Sequence, residues 1–159
     1  MSTSIQDKPG VIAPPPLIYA GGLAAGLLLH RLLPVKILLR SPRSIPLTLG
    51  SASISLALTL LISGFRQMRN ANTNVNPEHP ATTIVTEGPF RFTRNPLYLG
   101  LALLYTGISL IVNSLWPLLL LPTVLLLMRI GVIAREERYL ERKFGTQYLA
   151  YKQRVRRWL

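Results

Sequence analysis

Long apolar runs alternate with polar, proline-bearing segments along this chain. Leu17 to Leu29 carries no charge, and His30, Arg31, Leu32 and Leu33 follow. A bilayer span takes ~20 residues, so a first span through Leu33 requires Arg31 to snorkel toward the headgroups. Ile45 to Phe65 holds 21 positions without a charge. That run fits the hydrocarbon thickness at ~1.5 Å rise per residue and predicts a second span. Gly50, Ser51, Ala52, Ser53 and Ser55 crowd one half of it, and small residues let helices approach closely in lipid. Leu97 to Met128 is uncharged for 32 residues. A single helix of that length would measure ~48 Å against a ~30 Å core. Asn113-Ser114, with Pro117 just after, divides the run. The pattern therefore predicts a tight helical hairpin, with arms at roughly 97–112 and 115–133.

The remaining segments are polar. Residues 1–16 are polar and then proline-rich (Pro9, Pro14, Pro15, Pro16), and read as a flexible, retained entry segment without the features of a cleaved signal. Residues 66–96 contain Arg66, Arg69, Asn70, Asn72, Asn74, Asn76 and Glu78, broken by Pro77, Pro80, Pro89 and Pro96. Thr82 to Val85 reads as a short extended stretch ahead of a Glu87-Gly88-Pro89 turn. From Ala134 the chain becomes charged, while Leu140, Phe144, Tyr148 and Tyr151 recur at spacings of four, four and three. This predicts an amphipathic helix, broken or capped near Gly145. The expected fold is an all-α integral membrane protein with about four transmembrane helices, the last two forming the hairpin, followed by an amphipathic cytoplasmic helix. The expected organisation is an entry segment (1–16), two N-terminal spans (17–65) and a core (66–159) of loop, hairpin 97–133 and C-terminal helix.

Composition sharpens this picture. Lys and Arg total 18 against 6 Asp and Glu, a formal charge of +12, yet only 15% of the residues are charged. A nucleic-acid binder of this net charge would spread its bases over the whole surface; here they avoid the apolar runs. Without cysteine there is no disulfide framework, thiolate metal site or thiol nucleophile. The basic 66–96 loop and the basic tail (Lys152, Arg154, Arg156, Arg157, then Trp158-Leu159) lie on one side of a hairpin, which the positive-inside rule assigns to the cytoplasm. Lys36, Arg40 and Arg43 conflict with simple four-span counting, which puts them outside.

Two polar clusters flank the predicted hairpin. Glu87-Gly88-Pro89-Phe90-Arg91-Phe92-Thr93-Arg94-Asn95-Pro96-Leu97-Tyr98 precedes it, and Arg135-Glu136-Glu137-Arg138 follows it. A hairpin returns the chain to the side it left, so both clusters meet at one interface. Taken singly, each has an ordinary explanation. Asn95-Pro96 reads as an N-cap with proline at the first helical position, and Tyr98 as an interfacial aromatic. Glu136-Glu137 reads as a solvated face, Arg91 and Arg94 as holders of lipid phosphate, and His30 and His79 as bystanders without metal spacing.

Taken in order, the set resembles the isoprenylcysteine carboxyl methyltransferases and the related phospholipid methyltransferases. It runs Gly-Pro-Phe-Arg-Phe-Thr-Arg-Asn-Pro-Leu-Tyr, a hydrophobic hairpin, Glu136-Glu137, then Phe144-Gly145-x-x-Tyr148-x-x-Tyr151. The resemblance covers roughly residues 70–157. It implies an integral-membrane enzyme that moves a methyl group from S-adenosylmethionine to a lipophilic acceptor: a carboxylate, amine, thiol or lipid headgroup, on a small molecule, a lipid or a lipidated partner. It implies neither a metal nor a nucleic-acid partner. By the resemblance, Asn95, Pro96, Leu97 and Tyr98 line the cofactor site, with Phe90 as its aromatic. Thr82, Thr83, Ile84 and Val85 contact the cofactor largely through backbone, and Glu136 is the cofactor-binding glutamate. Arg94, Tyr98 and Glu137 are the candidates for catalysis. The family's Arg-His-Pro-x-Tyr entry has Asn95 in place of histidine. A substrate-linked arginine falls on Val132 and is missing, leaving Arg129 or Arg135 as conjectural substitutes. Both departures weaken a prenylcysteine substrate. The chemistry fits these residues: a carboxylate can pair with the donor's ammonium, aromatic faces can sit against its sulfonium, and in-line displacement depends mostly on positioning. Two other readings compete. One is an NADPH-dependent membrane reductase, whose relatives share the entry motif on much longer chains. The other is a non-enzymatic membrane scaffold.

Overall fold

The computed structural model describes residues 8–39, 41–75 and 79–158. The expectations placed on residues 1–7, Arg40, Asn76, Pro77, Glu78 and Leu159 lie outside this range. Among the described residues the regular structure is helical, with no strand. The helices are α1 (Pro15–Leu32), α2 (Ser44–Asn70), α3 (Pro96–Val112), α4 (Leu115–Leu127), α5 (Ala134–Phe144) and α6 (Thr146–Arg154). A single 3-10 turn, Gly88–Arg91, precedes α3, and a π turn, Met128–Ile133, joins α4 to α5.

Among the described residues two helices are long and apolar enough to cross a membrane: Ser44–Asn70, and a continuous Leu115–Phe144 made of α4, the π turn and α5. In their most apolar windows only 17% and 33% of residues are buried, so much of this apolar surface is covered by no protein. Leu49, Leu56 and Ile62 on α2, and Leu119 and Leu126 on α4, are all exposed. An apolar surface of this extent without a protein cover suits lipid. α3 is a shorter apolar helix. The expected second arm at 115–133 is part of the longer helix, because the charged residues after Ala134 continue its hydrogen-bonded path.

α2 packs along α3 in antiparallel fashion through small residues. A Cβ on Gly107 would lie 2.8 Å from the Gly50 carbonyl oxygen, and one on Gly50 would lie 2.7 Å from the Gly107 carbonyl oxygen. Further along, Gly100 meets Leu61 and Gly64 meets Leu97. Ser53 Oγ donates to the Leu103 carbonyl across the same seam at 2.8 Å. Of the small cluster expected to mediate packing, Gly50 and Ser53 do so; Ser51, Ala52 and Ser55 are exposed. α1 runs antiparallel to α4, with Gly26 against Pro117 and Gly22 against Val124 and Tyr105. Tyr19, Tyr105, Val124, Met128 and Val132 form the buried core between these helices.

The turn between α3 and α4 falls at the expected Asn113-Ser114. Asn113 takes a left-handed conformation, φ 55°, which its short polar side chain tolerates. Its Oδ1 accepts from the Ile37 and Leu38 amides at 3.1 and 3.0 Å, and Nδ2 donates to the Leu38 carbonyl at 3.1 Å. Trp116 Nε1 donates to the Leu33 carbonyl at 2.6 Å. The loop that carries Lys36 is therefore held on this turn, at the end of the helices far from residues 66–96.

Replacing Gly107 with Ala is expected to force α2 and α3 apart, at a cost of about 1–3 kcal/mol. A lowered thermal unfolding midpoint in detergent, with exposed Ser51→Ala unchanged, checks this; an unaffected Gly107→Ala protein would contradict the close seam.

Candidate functional site

The site begins at a turn that only glycine fits comfortably. Gly88 has φ +59°, and a Cβ there would meet the Gln67 side chain at 2.8 Å. Pro89, the second residue of the 3-10 turn, lacks an N–H that would have no partner there. The turn buries Phe90, whose carbonyl accepts from Tyr151 Oη at 2.8 Å. Tyr148 and Tyr151 from α6 meet edge to face, with ring centroids 6.1 Å apart. Gly145, at φ +51°, ends α5 and starts α6. The break expected there turns both tyrosines back toward Phe90.

A cavity of about 150 Å³ lies among these elements. Its walls include Thr83, Ile84, Val85, Phe90, Arg94, Asn95, Pro96, Leu97, Tyr98, Glu136 and Glu137. The structure thus brings together every expected site residue except Thr82. Thr82 is exposed, and its polar groups are spent locally: its amide donates to Thr73 Oγ1 at 3.1 Å and its hydroxyl to the Asn72 carbonyl at 2.7 Å. It shapes the loop rather than the wall. The 82–85 segment is irregular rather than a strand. Tyr139 Oη on α5 receives the Ala81 amide at 3.1 Å and so fixes this loop over the cavity.

Glu136 and Glu137 are not a solvated face. Glu136 accepts from Tyr98 Oη at 2.5 Å, and has no basic partner among the described residues. Tyr98 is placed in turn by Tyr19, which donates to the Tyr98 carbonyl at 3.0 Å. Glu137 is buried and bound by two arginines. Arg157 grips it with Nε to Oε1 at 3.0 Å and Nη2 to Oε2 at 2.5 Å. Arg94 Nη2 reaches Oε1 at 3.2 Å, with the Arg94 side chain only 8% exposed. Arg94 Nε and Nη1 are buried without a protein partner. The bonded Glu137 carboxylate raises the Arg157 pKa. Burial, then the charge of Glu137, raises that of Tyr148.

Asn95 stands at the N-cap position of α3 but makes no capping bond. Its Nδ2 donates instead to the Arg157 carbonyl at 2.8 Å. Thr93 Oγ1 donates to the same carbonyl at 3.2 Å, and the Arg94 amide donates to the Arg156 carbonyl at 3.0 Å. The tail after α6 therefore straps the entry to α3. Neither this strap nor Arg157's role is signalled by any local pattern, since the strap joins residues more than sixty positions apart and Arg157 lies 20 positions from Glu137. His79 lines the cavity rather than standing aside, as do Tyr139, Tyr148, Tyr151 and Pro9. The helical spacing of Tyr148 and Tyr151 was the available signal for two of them. Arg129 and Arg135 do not substitute at Val132. Both are exposed, Arg135 Nη1 donates to the Gly10 carbonyl at 2.8 Å, and Val132 is sealed in the core.

Residues 45–147 match the phospholipid methyltransferase family. A protein of Haemophilus influenzae, described as an uncharacterized protein, is 74% identical over 27 residues, which make up 17% of this chain and 43% of that protein. No solved structure matches.

Burial pushes the Tyr151 pKa up to about 12, against ~10 for an unfolded tyrosine. Below pH ~10 both states hold the proton; above it the unfolded chain releases the proton first, so stability falls as pH rises toward the folded value. Thermal midpoints measured across this alkaline window are expected to drop less steeply in Tyr151→Phe than in the wild type. Equal slopes would contradict the buried hydroxyl.

Proposed function

This chain belongs to the phospholipid methyltransferase family, and we propose from that premise that it transfers a methyl group from S-adenosylmethionine to an acceptor of the bilayer. The observation that carries the reading is the opposed polarity of the cavity. The cavity holds a carboxylate without a basic partner among the described residues, Glu136, beside Tyr98. It also holds a buried guanidinium, Arg94, with two donors that have no hydrogen-bond partner among the described residues. A desolvated carboxylate calls for a cation, and unsatisfied buried donors call for an acceptor. These residues suit the methyl donor, which carries an ammonium and a sulfonium.

Glu136 would hold the ammonium group by a charge-assisted hydrogen bond, with the Tyr98 hydroxyl fixing its orientation. Phe90, Tyr148 and Tyr151 offer aromatic faces to the cationic part. When bound, S-adenosylmethionine supplies an electrophilic methyl group for in-line displacement. Arg94 directs Nε and Nη1 at an oxyanion of the acceptor, a phosphate or carboxylate, and holds it in line. Thr83, Ile84 and Val85, on the loop fixed by Tyr139, cover the cavity and limit water. An amine acceptor would lose a proton on methylation, and His79 is the imidazole on this wall.

In this reading α1 to α4 make four passes, α3 and α4 as a tight hairpin, with the site at the cytoplasmic face. The basic residues beside the site, among them Arg66, Arg69, Arg154 and Arg156, support that orientation through the positive-inside rule. Lys36 and Arg43 would then lie at the opposite interface. Val132, packed in the core, leaves no place for the arginine of the prenyl-protein enzymes, which supports a lipid rather than a prenylated protein as acceptor.

Titration calorimetry of detergent-solubilised protein with S-adenosylmethionine tests this, with NADPH in parallel. Wild type is expected to bind the methyl donor in the micromolar range, and Glu136→Ala to bind at least about 30-fold more weakly, the loss of one charge-assisted bond of ~2 kcal/mol. Binding of NADPH alone, or of neither by folded protein, would overturn the reading. Tritium transfer to phosphatidylethanolamine vesicles, compared with S-farnesylcysteine and with a free fatty acid, then separates the acceptors.

A further inference from the structure

We propose that Arg157 is a positioning residue of the reaction: by occupying both oxygens of Glu137, it keeps the free donors of Arg94 turned into the cavity. The inference rests on the methyltransferase reading above. Glu137 is buried and has two guanidinium partners, bound unequally. Arg157 takes the carboxylate through two parallel bonds, Nε to Oε1 at 3.0 Å and Nη2 to Oε2 at 2.5 Å. Arg94 is left with one contact, Nη2 to Oε1 at 3.2 Å. An arginine beside a lone carboxylate ordinarily closes the same two-bond fork. Here that fork is already filled, so Nε and Nη1 of Arg94 stay unpaired although the side chain is more than nine-tenths buried.

The backbone of the tail serves the same end. The Arg157 carbonyl accepts from Asn95 Nδ2 and Thr93 Oγ1, and the Arg156 carbonyl from the Arg94 amide. Arg157 is therefore fixed relative to the segment that carries Arg94 before its side chain reaches Glu137. Two arginines on one carboxylate also leave this group with a net positive charge. Removing the Arg157 guanidinium frees the second Glu137 oxygen. Arg94 then closes its fork on Glu137 and withdraws its donors from the acceptor. A lysine at the position keeps the charge but cannot occupy both oxygens.

The test measures methyl transfer from tritiated S-adenosylmethionine to the total lipid extract of the expressing cells, alongside calorimetric affinity for S-adenosylmethionine. Arg157→Ala is expected to lower kcat/KM for the lipid between about 10- and 100-fold, with affinity for S-adenosylmethionine changed less than about threefold because Glu136 and Tyr98 are untouched. Added ethylguanidinium restores part of the rate, and Arg157→Lys, the milder variant should the alanine protein fail to fold, is impaired without rescue. In an Arg94→Lys background, Arg157→Ala adds little further loss. Full activity in Arg157→Ala, or a loss that adds to Arg94→Lys and ignores ethylguanidinium, overturns the proposal while leaving the methyltransferase reading intact. Wild-type protein that neither binds S-adenosylmethionine nor labels lipid overturns both.

Discussion

The site end of this molecule depends on one buried carboxylate. Glu137 sits on α5, and its partners come from the entry to α3 and from the tail after α6. Three segments distant in sequence converge on a single negative charge. Removing that charge would leave two arginines facing each other in a poorly solvated space, and breaking a buried pair typically costs about 3–5 kcal/mol. The bonds from Thr93 Oγ1, the Arg94 amide and Asn95 Nδ2 to carbonyls of the tail join the same segments that this pairing joins. Pro96, Leu97 and Tyr98 follow directly, begin α3 and line the cavity. Glu136 is the next residue, yet it has the opposite circumstance, with a phenol for company and no basic partner among the described residues. Two adjacent glutamates thus line one cavity with different partners, a phenol for Glu136 and two guanidiniums for Glu137.

The membrane part is held by a different kind of interaction. Apolar side chains gain little by meeting each other in lipid, so contact between helices rests on close approach and on a few hydrogen bonds. Gly50 with Gly107, and Gly26 with Pro117, permit that approach. Ser53, Tyr105 and Asn113 supply bonds to backbone carbonyls. The tyrosines of the core link the two regimes: Tyr19 bonds the carbonyl of Tyr98, whose hydroxyl meets Glu136. Packing between α1 and α3 is thereby continuous with the geometry of the cavity.

Much of this was legible in the chain. The uncharged run from Ile45 to Phe65 lies within α2, Asn113-Ser114 is the turn, and Gly145 is the break between α5 and α6. Hydropathy and backbone preference are local properties, and local sequence displays them. The meeting of the two polar clusters followed from topology. What stayed hidden was non-local or lay beneath a continuous pattern. Asn95 has the type and position of an N-cap, but a carbonyl from the tail outcompetes its own helix for the side chain. Thr82 sits inside a segment whose next three residues line the cavity, yet its hydrogen bonds turn back to Asn72 and Thr73. His79 looked isolated because its neighbours in space come from other elements. Arg129 and Arg135 lie close to Val132 in sequence, but the winding of the helix leaves both exposed while Val132 is sealed in the core.

Between Met128 and Ile133 the helix makes a π turn, which accommodates one residue more than an α-helical path of the same span. One residue corresponds to ~100° of rotation in an α-helix. The π turn therefore sets the angular phase of Glu136 and Glu137 independently of the face that α4 offers to lipid and to α1. The same residues wound as a regular α-helix would carry both carboxylates about a quarter turn away from Tyr98 and Arg94, while everything before Met128 kept its register. The π turn thus lets the charged continuation of an apolar helix present its carboxylates to the cavity.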